Sequence, residues 1–359
     1  RWEDPHTYTS GGSLHVPLHT YSRIGMNRRS ALAGALALTL GAAAFVWISK
    51  WRRRRRCGRY FDDGGWMHDG EVLQTIEDQC TLRSTDVITV TVPKCGQTWL
   101  MHVLMLMKYS GKLPGDFFDE SVWVENLAKF DLGKFNERYT VQERMQQLAA
   151  LTHPRILKMH TMFDQIPVHA GCSPKVITIV RDLRDQPYSM FRHMCSLVMP
   201  HPPWWAVRFF GAPDWSSFPA FFRTHTQNPA TFHMTFHAVR TYWDHRNDPN
   251  FLILRYEDMK RDTKGEILKI AKFLEWDWVT DDVIDKIVPL AQFDSMKSRE
   301  KEIFGQEPAK AFSNGSFFHQ GLVGENRKHL TAEMEEWLMK KCRELWTPEC
   351  IDFVFGQTQ

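Results

Sequence analysis

The chain has 359 residues, of which 43% are hydrophobic and 24% charged, values typical of a globular protein. Its net charge of +3 comes from a basic run at residues 50–59, so the remainder is slightly acidic and no nucleic-acid partner is expected for the main domain. The seven cysteines show no CxxC or Cys/His spacing, so neither a metal site nor a disulfide framework is predicted and a reducing compartment is indicated.

The first 59 residues divide into three predicted parts. Residues 1–30 have no clear periodicity and are predicted to be a disordered or artefactual tail, with Met26 as an alternative start. Residues 31–49 carry no charge and are predicted to cross the membrane. The polybasic linker at residues 50–59 then predicts that the main domain faces the cytosol. The alternatives are a cleaved signal peptide, a buried or poorly ordered helix, and a soluble cytoplasmic protein.

Residues 60–359 are predicted to form one α/β domain. After an irregular stretch at 60–85, short runs rich in Val, Ile and Leu predict strands at 86–92, 155–158, 175–180 and 251–256. Helical patterns follow them at 98–109, 141–151, 185–197, 229–246 and 263–274. This alternation predicts a doubly wound parallel sheet flanked by helices, with ligands beyond the carboxyl ends of the strands.

A stretch rich in proline and aromatic residues interrupts this pattern at residues 198–222. It predicts a long loop with short helices that could form one wall of an apolar pocket. A membrane-facing patch or ordinary core packing explains the same composition equally well.

The loop after the first predicted strand is suited to binding phosphate, and reads Pro93-Lys94-Cys95-Gly96-Gln97-Thr98-Trp99. Backbone N–H groups at the start of the next helix point at an anion, and Gly96 permits a close approach. Lys94 adds a positive charge and Thr98 a hydroxyl donor. The Walker spacing of a P-loop is absent. An ordinary turn between a strand and a helix would also fit this loop alone.

Two further polar residues follow the next predicted strands. His160 comes directly after the second strand region and Arg181 after the third. Because the carboxyl ends of parallel strands meet at one edge of a sheet, both side chains should lie near the Lys94 loop. The sequence therefore predicts one site that combines anion binding with a titratable group.

Five motifs now resemble the cytosolic-type sulfotransferase family in the family's own order. The Lys94 loop resembles its P-K-S-G-T-T-W loop, and Lys158-Met159-His160 resembles its K-T-H. The other three are Val180-Arg181-Asp182-Leu183-Arg184-Asp185-Gln186-Pro187-Tyr188-Ser189, Tyr256-Glu257-Asp258, and the segment that begins at Gly321-Leu322-Val323-Gly324. Together they cover about residues 60–345.

The resemblance implies transfer of a sulfuryl group from 3′-phosphoadenosine 5′-phosphosulfate (PAPS), as donor substrate, to a hydroxyl or amine. It implies that His160 is the general base and that Lys94 and Lys158 stabilise the transferring and leaving groups. The ordinary pKa of histidine, about 6.5, suits that base. The donor-binding residues that it implies are Lys94, Cys95, Gly96, Gln97, Thr98, Trp99, Arg181, Ser189, Tyr256, Phe293 and Gly321. Several of these residues also have an ordinary structural explanation: an ion pair with Asp182 or Asp185 for Arg181, and core packing for Trp99 and Tyr256.

Several positions depart from the family pattern. Cys95 replaces a serine, and a thiol at a helix N-terminus is expected to have a lowered pKa and to be reactive. Gln97 and Met159 replace threonines, and Ala291-Gln292-Phe293 replaces T-S-F. His319-Gln320 stands where the family has two cations. Each missing charged hydrogen bond there would cost on the order of 1.5–3 kcal/mol unless Arg327 or Lys328 compensates.

Two other functions remain open at this stage. One is a catalytically weak or inactive protein that retains the fold and binds the nucleotide, and the other is a nucleotide kinase. Aromatic and methionine-rich segments favour a small, apolar acceptor. The segment 327–336 approximates the family's dimer motif, so a homodimer is an option, although a helix capped by Thr331 explains it nearly as well.

Overall fold

The computed structural model describes residues 69–113, 117, 120–129, 134–197, 207, 212–228, 233–304, 312–313, 316–318 and 321–356. These all belong to the second of two units into which the chain divides after Arg52. The predicted tail, membrane span and polybasic linker lie outside the described residues. Within the described ranges, no helix combines the length and the hydropathy needed to cross a bilayer.

The centre of the fold is a parallel four-stranded sheet. Its strands are β1 (Val87–Val90), β4 (Ile156–Met159), β5 (Lys175–Val180) and β6 (Phe251–Arg255), in the order β4-β1-β5-β6. A separate antiparallel pair consists of β2 (Ala128–Lys129) and β3 (Lys134–Arg138). Since β1 pairs with β4 on one side and β5 on the other, the loops after these three strands lie side by side.

Thirteen described α-helices surround these strands. They are α1 (Gly70–Asp78), α2 (Gln97–Lys108), α3 (Val141–Ala150), α4 (Gln186–Ser196), α5 (Phe218–Phe221), α6 (Ala238–Asp244), α7 (Tyr256–Arg261), α8 (Thr263–Leu274), α9 (Asp281–Leu290), α10 (Phe293–Ser298), α11 (Glu300–Phe304), α12 (Ala332–Leu345) and α13 (Pro348–Phe355). Short 3₁₀ turns occur at Phe163–Gln165 and Arg327–His329, and π-helical turns at Phe222–Thr226 and His233–His237.

The hydrophobic core lies on both faces of the sheet. Successive residues of a strand point to opposite faces. Val87 accordingly belongs to one buried cluster and Ile88 to another. Helix α2 is buried at every position from Leu100 to Met107, so it forms a central layer against the sheet. The predicted parallel sheet covered by helices is therefore confirmed.

The predicted strand positions are confirmed to within one or two residues, but the irregular stretch predicted at 60–85 is wrong in part. Helix α1 forms there because Asp69 caps it through the backbone N–H of Glu71, and Val72 and Ile76 place an apolar face in the core. Tyr256, predicted as the end of a strand, instead begins α7. The described part of the predicted helix at 229–246 is a π-helical turn followed by α6.

The aromatic stretch at 198–222 does not form a wall of the large cavity in its described part. Trp215, Phe218 and Phe221 pack in the hydrophobic core, and none of residues 212–222 lines that cavity. The aromatic wall comes from later in the chain, from Phe304, Phe312, Phe317 and Phe318. The described part of the stretch therefore fits the alternative of core packing, and residues 198–206 and 208–211 lie outside the described residues.

Candidate active site

A cavity of about 650 Å³ lies at the carboxyl ends of the four central strands. Each strand delivers a lining residue just after it ends: Lys94 after β1, His160 after β4, Arg181 after β5 and Tyr256 after β6. The predicted convergence of the Lys94 loop, His160 and Arg181 is therefore confirmed. Sites of this volume hold small organic ligands.

The loop between β1 and α2 is held in an unusual backbone conformation. Lys94 has φ +68° and Gly96 has φ +109°, both in the left-handed region. For lysine this conformation costs roughly 1–2 kcal/mol, and such strain concentrates at functional sites. The amide of Gln186 donates to the carbonyl oxygen of Pro93 (2.9 Å) and helps to hold the loop. A Cβ at Gly96 would lie 2.8 Å from the Tyr256 ring, so glycine is required there.

The ammonium group of Lys94 is partly buried and close enough to other cations to be affected by their charges. Its Nζ lies 3.3 Å from Nδ1 of His193 and 4.9 Å from the centre of the Phe317 ring. Burial, followed by the charges of Lys158 and Arg181, lowers the pKa of Lys94 to about 8. An anion bound in the cavity would relieve this repulsion.

His160 is buried, and its hydrogen bond fixes the tautomer. Nδ1 lies 2.7 Å from the carbonyl oxygen of Thr91, which can only accept a hydrogen bond, so Nδ1 carries the proton. In the neutral imidazole, Nε2 is then unprotonated and can accept a proton. The backbone N–H of His160 donates to the carboxylate of Glu125, and the Trp123 ring packs edge-on at 5.0 Å.

Lys158 lies on β4 two residues before His160. Its Nζ is 4.3 Å from the centre of the Trp123 ring, within cation–π range. Trp123 also forms an isolated parallel bridge with Lys158, so the backbone around Trp123 extends the edge of the sheet. These contacts place Lys158 and His160 against one wall of the cavity.

Arg181 lies at the other half of the cavity. Its Nη2 donates to Asp185 (3.1 Å) and to the carbonyl oxygen of Leu322 (2.8 Å), and its guanidinium lies 4.6 Å from the centre of the Tyr256 ring. Its buried Nε has no hydrogen-bond partner within the described part of the chain. Arg181 thus forms an ion pair within the protein and also lines the cavity.

The carboxylate of Asp185 anchors the loop that begins at Gly321. It is fully buried and accepts hydrogen bonds from the backbone N–H groups of Gly324 (2.7 Å), Asn326 (3.1 Å) and Arg327 (3.2 Å). Asp185 belongs to the motif quoted from the sequence, but the motif did not reveal this role.

Aromatic groups line the cavity near Arg181. Trp99 donates from Nε1 to the carbonyl oxygen of Ala291 (2.7 Å), and its ring meets Tyr256 edge-on at 5.5 Å. Tyr256 donates from its hydroxyl to the carbonyl oxygen of Gly321 (3.2 Å). A Cβ at Gly321 would lie 2.2 Å from the Phe293 ring, so these residues form one packed wall. Thr98 and Ser189 line the same cavity.

One protein family matches most of the chain. The sequence model of the sulfotransferase domain covers residues 84–347, which contain every cavity residue described above. The chain therefore belongs to the sulfotransferase family. The family predicted from the five motifs is confirmed.

Relatives of this sulfotransferase are distant in sequence but cover most of its length. The amine sulfotransferase of Oryctolagus cuniculus is 27% identical over 278 residues, which span 75% of this chain and 82% of the relative. Sulfotransferase 1E1 of Homo sapiens is 24% identical over 259 residues, spanning 71% and 81%.

Two solved structures share the fold. Mouse sulfotransferase SULT7A1 in complex with PAP superimposes with a TM-score of 0.57 at 20% identity, covering 80% of this chain and 94% of that one. Retinol dehydratase in complex with androsterone and PAP gives a TM-score of 0.57 at 18% identity, covering 84% and 96%. At these identities the comparison supports the fold alone.

Two positions of this sulfotransferase correct or qualify the sequence interpretation. Cys95 was expected to be a reactive thiol, but its side chain is buried in the core and burial raises its pKa to about 12. The side chain of Gln97 turns inward, and its amide donates to the carbonyl oxygens of Thr89 (3.0 Å) and Met159 (2.8 Å). Gln97 thus ties β1 to β4, although it also lines the cavity.

Arg327 and Lys328, the two cations that could have compensated for His319-Gln320, do not line the cavity. Arg327 pairs with Glu335 and Lys328 with Glu325. His319 and Gln320 themselves lie outside the described residues. Thr331 accepts a hydrogen bond from Met334 N–H, so the dimer-like motif includes an ordinary helix cap. The homodimer stays a prediction.

Sequence reasoning missed several cavity residues of this sulfotransferase, among them His193, Lys260 and Trp123. His193 and Lys260 each lie four residues after a predicted site residue on a helix, Ser189 and Tyr256 respectively, and i,i+4 residues share a face. That spacing was a usable signal. Trp123 had no such signal, because its position depends on a β-bridge to a distant strand.

Proposed function

We propose that this sulfotransferase moves a sulfuryl group from PAPS to a hydroxyl or amine of a small acceptor, with His160 as general base. The observation that carries the proposal is the 2.7 Å contact between Nδ1 of His160 and the carbonyl oxygen of Thr91. Because that oxygen can only accept, Nδ1 donates, and in the neutral imidazole Nε2 is free of a proton and can act as the base. Lys94 and Lys158 line the same cavity, so base and cations act on one reaction centre.

In the proposed reaction the acceptor oxygen or nitrogen bonds to sulfur, and the bond from sulfur to the phosphate oxygen breaks. The electron pair leaves with the phosphate, and the acceptor's proton moves to Nε2 of His160. General base catalysis of this kind contributes roughly 10²- to 10⁴-fold to the rate. The carbonyl of Thr91 stabilises the imidazolium that forms, because it already accepts from Nδ1.

The residues of the cavity fit the charges of the donor substrate. Lys94 is proposed to neutralise the 5′-phosphosulfate, together with N–H groups of residues 95–98 and the hydroxyl of Thr98. Arg181 and Ser189, which both line the cavity, are proposed to bind the 3′-phosphate. The wall of Trp99, Tyr256 and Phe293 offers aromatic surface for an adenine ring. The site residues named from the sequence keep these roles as proposals, except that Cys95 and Gln97 contribute through the backbone.

The acceptor is proposed to be a small, largely apolar molecule. Phe304, Phe312, Phe317 and Phe318 line the cavity, while Trp123 adjoins both Lys158 and His160. Asn126, Arg144 and Gln147 also line it. A phenol, alcohol or amine matches this largely aromatic lining better than a sugar polymer does.

The test is an assay with ³⁵S-labelled PAPS and a panel that contains a phenol, an aliphatic alcohol, a sterol and an arylamine. The variant His160→Asn can keep a donor near the Thr91 carbonyl but has no equivalent of Nε2. We expect its kcat to fall by roughly 10²- to 10⁴-fold while its affinity for PAP stays within about threefold of wild type. The matched control His225→Asn changes a buried histidine outside the cavity and should retain the wild-type rate.

The same assay separates the alternative functions. Binding of PAP without transfer to any acceptor would support a nucleotide-binding protein without activity, an alternative favoured by the pairing of Arg327 and Lys328 with glutamates. Phosphorylation that depends on ATP would support a kinase. Transfer that persists in His160→Asn would refute the proposed base.

The location of the enzyme stays a proposal. Residues 31–49 are proposed to anchor it in a membrane, with residues 50–59 and the catalytic domain on the cytosolic side. Retention of the full chain in the membrane pellet after alkaline carbonate extraction, together with protease sensitivity of the domain in sealed vesicles, would support this topology. Release by carbonate would favour a soluble cytoplasmic protein.

A further inference from the structure

A partly buried contact between Lys94 and His193 joins two different parts of the cavity wall. Lys94 lies in the loop after β1, and His193 lies on α4, four residues after Ser189. Their nitrogens Nζ and Nδ1 are 3.3 Å apart, and both residues line the cavity. The His193 ring also lies near the rings of Phe312 (5.5 Å) and Phe317 (5.9 Å), so its position is fixed by packing.

The charges around the pair decide its direction of donation. Lys158 on β4 and Arg181 after β5 act on Lys94, and Lys94 and Lys158 act on His193. Burial and these two lysines hold the pKa of His193 well below its usual value, so the imidazole is neutral. Lys94 has only donors, so it donates and Nδ1 of His193 accepts.

The two cavity histidines therefore have opposite tautomers. His160 is protonated at Nδ1 and leaves Nε2 as a base. His193 accepts at Nδ1, so its proton lies on Nε2. Because the lone pair of Nδ1 already accepts a hydrogen bond from Lys94, this nitrogen cannot serve as a general base. It can, however, hold the ammonium group in place.

We propose that His193 is a positioning residue, which holds the Lys94 ammonium at the boundary between the donor and acceptor halves of the cavity and keeps it protonated. This inference rests on the proposed function for its catalytic meaning, but the contact itself can be tested without any activity. By accepting a hydrogen bond, Nδ1 of His193 stabilises the charged form of Lys94, which burial and the neighbouring cations destabilise.

The first measurement is the rate at which trace acetic anhydride acylates Lys94, followed across pH by mass spectrometry of the full-length chain. Only the neutral amine reacts, so the wild-type profile should have its midpoint near pH 8. His193→Phe keeps an aromatic ring beside Phe312 and Phe317 but removes the acceptor. We expect its midpoint to fall by about one pH unit, the size of a hydrogen bond to a charged group.

Two comparisons make the result specific. In His193→Asn the carboxamide oxygen can take the place of Nδ1 as the hydrogen-bond acceptor. The midpoint of the labelling profile should then stay near that of wild type. His225→Phe changes another buried histidine, which stacks on Phe221 away from the cavity, and should leave the profile unchanged. His193→Leu provides a second variant without an acceptor, should His193→Phe unfold.

The outcomes separate this inference from the proposed function. A midpoint that is unchanged in both His193→Phe and His193→Leu overturns it, as does an equal shift in His193→Asn. If the labelling profile shifts but no variant or wild type transfers sulfate, the positioning contact stands and the proposed function fails. If transfer occurs, the alkaline limb of kcat/KM should move to lower pH in His193→Phe, in parallel with the labelling midpoint.

Discussion

Asp185→Asn is the substitution whose effect follows most directly from the structure. The buried carboxylate accepts from Arg181 Nη2 and Gly324 N–H at Oδ2, and from the N–H groups of Asn326 and Arg327 at Oδ1. An asparagine has one oxygen and one amide nitrogen. Whichever way the amide is turned, its NH₂ group faces two donors.

The expected loss of stability can be counted from these contacts. At least two hydrogen bonds to a charged group are lost, each worth roughly 1.5–3 kcal/mol. Arg181 also loses its buried partner, and breaking a buried ion pair costs about 3–5 kcal/mol. These two figures overlap because they share one contact, so we expect the free energy of unfolding to fall by about 3–5 kcal/mol.

The loop at 321–327 should respond more than the rest of the protein. Leu322 and Gly321 contact Arg181 and Tyr256 through their carbonyl oxygens, and three of the anchoring N–H groups belong to the same loop. Releasing this loop should weaken PAP binding by at least about tenfold, since a loss of 1.4 kcal/mol already gives that factor. Urea unfolding and titration calorimetry with PAP measure the two quantities separately.

Asp182→Asn is the matched control. Its carboxylate binds Arg184 and does not contact the 321–327 loop. Because it also breaks a buried ion pair, we expect a comparable loss of stability, about 3–5 kcal/mol, but an unchanged PAP affinity. An Asp185→Asn protein within 1 kcal/mol of wild type, on the scale of one ordinary hydrogen bond, would refute the view that this carboxylate anchors the loop.

Three further predictions concern the cavity. Gly321→Ala places a Cβ 2.2 Å from a phenylalanine ring at φ +61°, so PAP affinity should fall about tenfold or more, whereas Gly324→Ala, with nothing within 4 Å, should lose much less in the same calorimetry. Lys94 has a pKa of about 8, so it loses its charge as pH rises through that value. We therefore expect kcat/KM to fall above pH 8 rather than near the usual lysine pKa. A plateau of kcat/KM that continues well above pH 9 would contradict this. Iodoacetamide at neutral pH should modify exposed Cys80 and spare Cys95, whose pKa burial raises to about 12; labelling of both at equal rates, read by mass spectrometry, would place Cys95 outside the core.

The sheet could be predicted from the sequence because its strands are covered on both faces. A strand in that position needs a continuous apolar run, and Lys175–Val180 shows one that ends where the polar Arg181 begins. Helix α1 was missed because it is short and only one face is apolar. Its boundary depends on a capping carboxylate that composition does not reveal.

The chemical groups of the site could be predicted, but their environments could not. Strand ends located Lys94, His160 and Arg181 because connectivity alone brings them together. The thiol of Cys95 was assigned the wrong sign of pKa change, since a helix N-terminus favours thiolate but burial opposes it more strongly. Which influence dominates depends on side-chain direction, and the sequence does not specify whether residue 95 faces the ligand or the core.

The pair of histidines extends the same argument. In sequence, His160 and His193 are equivalent titratable residues near the ends of regular elements. Their roles diverge because one Nδ1 meets a carbonyl oxygen and the other meets an ammonium group. A carbonyl can only accept and an ammonium can only donate, so each partner dictates where the imidazole keeps its proton. The proposed roles of His160 as base and His193 as positioning residue therefore depend on two backbone segments, the loop after β1 and helix α4, which bring these partners into contact.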